Sequence, residues 1–203
     1  AYEVSSEADV QSAAWALWGS VFSVASFLTT TGFVSFEWST AGFWSGLETP
    51  GMILLGLALI GGGVATTAGG VKLLRVYALY QHGKRELERL VHPSSIGSSG
   101  VQGRQMRRQG AYVAWIFFML FAISLALVSM ALTVTGVPFD QAMVLAAAAQ
   151  STTGPAAAVV LETPISYAAL NDVAKYILAA AMVLGRLETL AIIALMNPEF
   201  WRS

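Results

Sequence analysis

The chain has 203 residues, 56% of them hydrophobic and 11% charged, with a net charge of −1 and no cysteine. Soluble domains carry roughly 25% charged residues, so this composition, with a mean hydropathy of +0.63, excludes an ordinary soluble core and indicates an integral membrane protein. Disulfide and thiolate chemistry are excluded by the missing cysteines, and the charge balance gives no reason to expect a nucleic-acid partner.

The first residues, Ala1-Tyr2-Glu3, are polar and acidic and include neither an initiator Met nor a signal-peptide pattern. They create the expectation of a segment cut from a longer polypeptide. Trp15 to Leu28 then gives 14 mostly apolar residues. A hydrocarbon core needs about 20, so this length suits a re-entrant segment. The polar turn Thr29-Thr30-Thr31-Gly32-Phe33 follows at once. Phe33 to Pro50 returns with aromatics, Glu37 and Glu48, as at an outer interface. From Gly51 an apolar helix is expected up to Gly61-Gly62-Gly63, and Gly69-Gly70 completes five glycines in the ten residues 61–70. Each glycine costs a helix interior roughly 1 kcal/mol against alanine, so a helix broken at membrane depth and resuming near Val71 is predicted.

Eight of the eleven Lys and Arg lie between Lys72 and Arg108. The positive-inside rule therefore makes 81–110 a cytoplasmic basic loop, with a Ser/Gly linker at 94–100 and an inner-leaflet contact. Lys72 and Arg75 mark the point where the resumed helix meets headgroups, a topology anchor. Ala111 to Val137 has no charge over 27 residues and is the clearest transmembrane helix. Pro138 suits the first turn of a further helix running through Asp140 to Gln150. That helix meets a second polar turn, Ser151-Thr152-Thr153-Gly154-Pro155. Length alone reads the uncharged stretch 141–161 as a spanning helix. Pro155 removes a helix hydrogen bond and disfavours helical geometry at Gly154, and a re-entrant 138–164 leaves both turns on the outer face with Arg202 inside. The last span, Tyr176 to Met196, contains Arg186 and Glu188.

The two turns define a repeat, with Gly32 and Gly154 lying 122 residues apart. Non-helical backbone at membrane depth is tolerated only where it is buried in protein or lines a watery path. Four such loops around an axis present rings of backbone carbonyls to a dehydrated cation, and glycine allows the main-chain turn that aims them. Two loops alone cannot close a fourfold pore. Gly61 to Gly70 lacks the G-x-x-x-x-G-K-[ST] pattern of a phosphate loop. His82 and His92 have no cysteine or carboxylate cluster for a metal site, and no nucleophile–His–acid set supports a hydrolase.

TTTGF at 29–33, GGGVATTAGGVKLLR at 61–75, STTGP at 151–155, MVLGRLE at 182–188 and NPEFWR at 197–202 together resemble the TrkH branch of the Trk/Ktr/HKT potassium-uptake superfamily. The resemblance covers essentially the whole chain, and ERLVHP at 88–93 also fits it. It implies an all-α membrane protein of helix–pore-loop–helix repeats, with re-entrant pore helices and a glycine-broken inner helix, and no enzyme activity. Residues 1–80 would be the third repeat without its leading helix, 81–110 the cytoplasmic basic loop and 111–203 the fourth repeat. Thr30, Thr31, Gly32 and Phe33 would form the third potassium-filter segment, and Thr152, Thr153, Gly154 and Pro155 the fourth, where Ala156 replaces a frequent second glycine. Gly61, Gly62, Gly63, Thr66, Thr67, Gly69 and Gly70 would form an intramembrane gate loop with the pore-facing Arg186.

For Arg186 the residues alone leave two readings open: a charge beside the pathway, costly enough in a span to mark function, or a side chain snorkelling inward. The resemblance further implies potassium as transported substrate and no organic cofactor. Its implied partners are membrane lipid, the remaining N-terminal repeats of the same subunit, a second copy in a homodimer and a cytosolic TrkA-like nucleotide-binding regulator. It places the protein in the bacterial inner membrane with the filter loops outside. Two rival functions stand beside the channel-like one: a coupled cation symporter, since broken helices also mark carriers, and a truncated fragment that conducts nothing.

Overall fold

The computed structural model describes residues 6–63, 66, 68–91, 101–161 and 164–187. These residues form α1 (Ser6–Leu28), α2 (Trp38–Ser45), α3 (Pro50–Ile60), α4 (Leu73–Val91), α5 (Val101–Val134), α6 (Phe139–Gln150) and α7 (Asp172–Leu187). Two short 3₁₀ turns, Gly154–Ala158 and Tyr167–Ala169, lie between α6 and α7. No strand occurs among the described residues. The all-helical fold implied by the resemblance is thus observed among the described residues.

The centre is α6. Residues Val144 to Gln150 are all buried, and α6 touches α3, α5 and α7. A helix apolar all round belongs inside, and the alanines at 146–149 let neighbouring backbones approach closely. The approach is tight enough to require glycine. A Cβ on Gly51 would meet the Val159 carbonyl oxygen and the Val160 Cα, each at 2.7 Å. These contacts lock α3, which follows the first polar turn, onto the chain that follows the second.

Local signals account for most boundaries. Pro50 starts α3 at a position where its missing N–H costs nothing, and Gly46, in the left-handed region, ends α2. Pro138 precedes α6 as its cap, one residue outside the expected first turn. Asn171 accepts a hydrogen bond from the Ala174 amide at 2.7 Å and donates to the Thr135 carbonyl at 3.0 Å. It caps α7 while tying it to the end of α5. Among the described residues, Gly110–Val134 is the one helix long and apolar enough to cross a membrane.

Two expected extents are corrected, and one expected break is met. The first apolar segment is embedded in a 23-residue helix that begins at Ser6, well before Trp15. Residues 6–14 contain no glycine or proline, and nothing local stops the helix from extending through their polar positions. The stretch 81–110 is helical on both sides, through Val91 and again from Val101. Its Lys, Arg, Glu and Leu are strong helix formers, so the basic stretch continues the helices on either side of it. The break expected within 141–161 is observed, since α6 ends at Gln150. The linker at 92–100, Thr67, Glu188 and everything beyond Leu187 lie outside the described residues.

Candidate functional site

The two polar turns are built alike. In the first, the Thr29 amide donates to Ala25, the Thr30 amide to Phe27 and the Thr31 amide to Ser26, at 3.0, 3.1 and 2.8 Å. In the second, Ser151 donates to Ala147, Thr152 to Ala149 and Thr153 to Ala148, at 2.9, 3.1 and 2.8 Å. Paired bonds spanning five and three residues are the Schellman ending of a helix, which needs one left-handed residue just past the cap. Here that residue is threonine: Thr30 and Thr152 both have φ 57°. A β-branched side chain in that region is strained by about 1–2 kcal/mol. Even the side chains match, since the Thr29 hydroxyl donates to the Ala25 carbonyl at 2.9 Å and the Ser151 hydroxyl to the Ala147 carbonyl at 2.7 Å.

The turns touch. A Cβ on Gly32 would lie 2.5 Å from Thr153 Cγ2 and 3.2 Å from Pro155 Cδ. Gly32 is buried at φ +87°, so it alone satisfies both the backbone and the space. Thr30 and Thr153 are buried, Thr152, Gly154 and Pro155 half-buried, and Thr31 and Phe33 exposed. The left-handed freedom expected of both glycines is used only at Gly32. Gly154 instead opens a 3₁₀ turn whose φ is set partly by Pro155.

Different anchors hold the two turns. The Ser35 amide donates to the buried Ser23 hydroxyl at 3.2 Å, which fixes the chain leaving the first turn. The Tyr167 hydroxyl donates to the Gly154 carbonyl at 2.9 Å, within the second. Burial raises the Tyr167 phenol above its ordinary pKa, so it remains a protonated donor.

The chain between α3 and α4 closes at its base, where the Val71 amide donates to Leu59 and the Leu73 amide to Gly62. Gly61 and Gly70 have φ of +76° and +81°, and Lys72 also has a left-handed φ, 69°. This segment reaches the C-terminal ends of both α1 and α6. A Cβ on Gly62 would lie 3.7 Å from the Leu28 carbonyl oxygen, and one on Gly69 would lie 2.5 Å from the Ser151 carbonyl. Thr66 donates to the Gly63 carbonyl. A Cβ on Gly185 of α7 would collide with the Gln150 carbonyl oxygen. Arg186, the next residue, is exposed. The structure thus brings both turns, the glycine segment and the end of α7 together at the C-termini of α1 and α6, where helix dipoles concentrate negative potential.

Several participants carry no motif. Gln150 is 1% exposed. Its amide nitrogen donates to the Ser124 hydroxyl at 3.0 Å, while its Oε1 is buried without a partner. Tyr167 lies 13 residues beyond the carbonyl it holds. Gln150 stands in the polar run 150–155 of the sequence, but its partner and the role of Tyr167 follow only from the rule that buried polar side chains must find partners. Arg75 departs from a plain headgroup anchor: its guanidinium sits 3.7 Å from the centre of the Phe117 ring on α5. Among the described residues, no cluster of His or carboxylates could hold a metal ion.

The sequence pattern of the family described as TrkH, cation transport protein, matches residues 5–202. The chain is 36% identical over 182 residues to the Trk system potassium uptake protein TrkH of Salmonella typhimurium, and 35% identical to that of Escherichia coli K12, covering 90% of this chain in each case. Trk system potassium uptake protein TrkI of Halomonas elongata is 30% identical over 184 residues. Among solved structures, the potassium transporter TrkH from Vibrio parahaemolyticus superposes with a TM-score of 0.72 at 31% identity, over 91% of this chain and 38% of that one. The chain spans 36% of the length of the Salmonella and Escherichia relatives.

Proposed function

The chain belongs to the TrkH family of cation transport proteins, and from that premise we propose that it supplies the third and fourth pore-loop repeats of a four-repeat potassium-translocating subunit. Residues 1–80 and 111–203 are the two repeats, joined by the basic stretch 81–110 on the cytoplasmic side. One observation carries the reading: two TTG turns with matching hydrogen bonds and matching left-handed threonines meet at Gly32 and Thr153. Main-chain oxygens of Thr30, Thr31, Gly32 and Phe33, and of Thr152, Thr153, Gly154 and Pro155, line two sides of a filter open to the outer face. Carbonyl oxygens there replace the hydration shell of a potassium ion.

The glycine segment formed by Gly61, Gly62, Gly63, Thr66, Thr67, Gly69 and Gly70, with Arg186, is the gate. Its support is the contact of Gly62 and Gly69 with the ends of both half helices. Potassium is cargo, and no organic cofactor takes part. The subunit lies in the bacterial inner membrane as a homodimer, and a cytosolic TrkA-like nucleotide-binding regulator docks at 81–110. The exposed Lys84 and the half-buried Arg85 on α4 support that docking surface.

The reading is tested with proteoliposomes. Rubidium uptake is expected from the four-repeat protein, reduced by competing external potassium, and none is expected from the 203-residue chain alone. Uptake by the isolated chain, or none by the four-repeat protein, contradicts the proposal.

A further inference from the structure

We propose that Tyr167 is a positioning residue for the fourth loop, its hydroxyl holding the Gly154 peptide in the orientation that selects potassium. The inference rests on the filter reading above and adds a residue to it. Five observations support it. Gly154 does not use the left-handed conformation that fixes Gly32, and Pro155 has no amide to donate, so the loop's own bond runs from the Ala156 amide to the Thr153 carbonyl at 3.0 Å. The third loop has its own anchor, the Ser35 amide on the Ser23 hydroxyl, and among the described residues no amide leaving the fourth loop makes such a bond to α6. The bond that takes its place comes from Tyr167 at 2.9 Å, across the turn that leads into α7. Its ring packs against the buried core beside α6, so the hydroxyl is presented by a rigid body.

A filter selects between two cations only if its carbonyls hold their places while the smaller ion pulls on them. A peptide released from its donor can rotate toward sodium. The loss therefore falls on selectivity before it falls on folding or on total flux.

The substitution Tyr167→Phe removes the hydroxyl and keeps the ring. In the four-repeat protein in planar bilayers, the sodium-to-potassium permeability ratio is expected to rise about two- to tenfold, the range that loss of one net hydrogen bond covers. Tyr176→Phe, at an exposed tyrosine on α7, is expected to match the parent, and Gly32→Ser to shift the ratio independently. A shift with Gly32→Ser but none with Tyr167→Phe overturns the positioning role and leaves the filter reading standing. A Tyr167→Phe protein with a lowered melting temperature but unchanged selectivity likewise overturns it. If neither substitution changes the ratio, the filter reading and the inference built on it both fall.

Discussion

Gly32→Ser in the four-repeat protein is expected to lower the preference for potassium over sodium by about tenfold or more. Two costs coincide at this residue. Its φ of +87° lies where a side chain is rarely accommodated, and a Cβ would sit 2.5 Å from Thr153 Cγ2. The threonine cannot simply swing away, because it is fully buried and its hydroxyl bonds the Ser151 carbonyl at 3.2 Å. Backbone strain of about 1–2 kcal/mol adds to overpacking of about 1–3 kcal/mol. The loops must separate to relieve both. Separation enlarges the site, which relaxes selection while leaving a path for ions. Reversal potentials under potassium–sodium gradients measure the change. An unaltered permeability ratio in a protein that still conducts would argue that Gly32 is only a packing residue.

The second large effect is expected at the glycine segment. Removing residues 63–68 should raise flux in the unactivated state about tenfold or more and make it less dependent on the cytosolic regulator. The base of the segment is closed by bonds from Val71 to Leu59 and from Leu73 to Gly62, so α3 and α4 retain their junction when the tip is shortened. What is lost is the tip that joins Gly62 to Gly69, the two residues that lie against Leu28 and Ser151. Five glycines make a plug with two arrangements plausible on energetic grounds, since few side chains commit it to either. Arg186→Ala should act in the same direction, because removing a positive charge near the pathway lowers a cation's barrier. Rubidium flux with and without the regulator reads both variants. Preserved regulation in the shortened protein contradicts the gate.

Much of the fold was legible because its signals are local. Glycine clustering ended α3 at Ile60, and Pro155 with the polar run before it ended α6 at Gln150. The charge-free stretch beginning at Ala111 marked the apolar part of α5. Helix extents were not legible where polar residues have high helix propensity: residues 6–14 and the basic segments continue helices that hydropathy had cut short. The turn geometry was misplaced for a related reason. Sequence puts left-handed backbone on glycine, yet Thr30 and Thr152 carry it in both turns, held there by the Schellman bonds and by burial or packing around them.

The remaining site residues depend on distance in space. Tyr167 and Gly185 form no spacing with the TTG turns, and Gln150, which directly precedes the second, shows its partner Ser124 only in the fold. Their roles follow from how α5, α6 and α7 converge, which no periodicity encodes. Gly185 is the clearest case: beside Arg186 in the sequence it looks unremarkable, and in space it is the one residue type that lets α7 reach the end of α6.

The central claim is that the two turns are two sides of one ion filter. It is tested most directly by locating rubidium, through its anomalous scattering, in crystals of the four-repeat protein. The expected result is a peak between the turns, in direct contact with main-chain oxygens from both Thr30–Gly32 and Thr152–Gly154. Rubidium bound elsewhere in the protein, with nothing between these turns, would contradict the account.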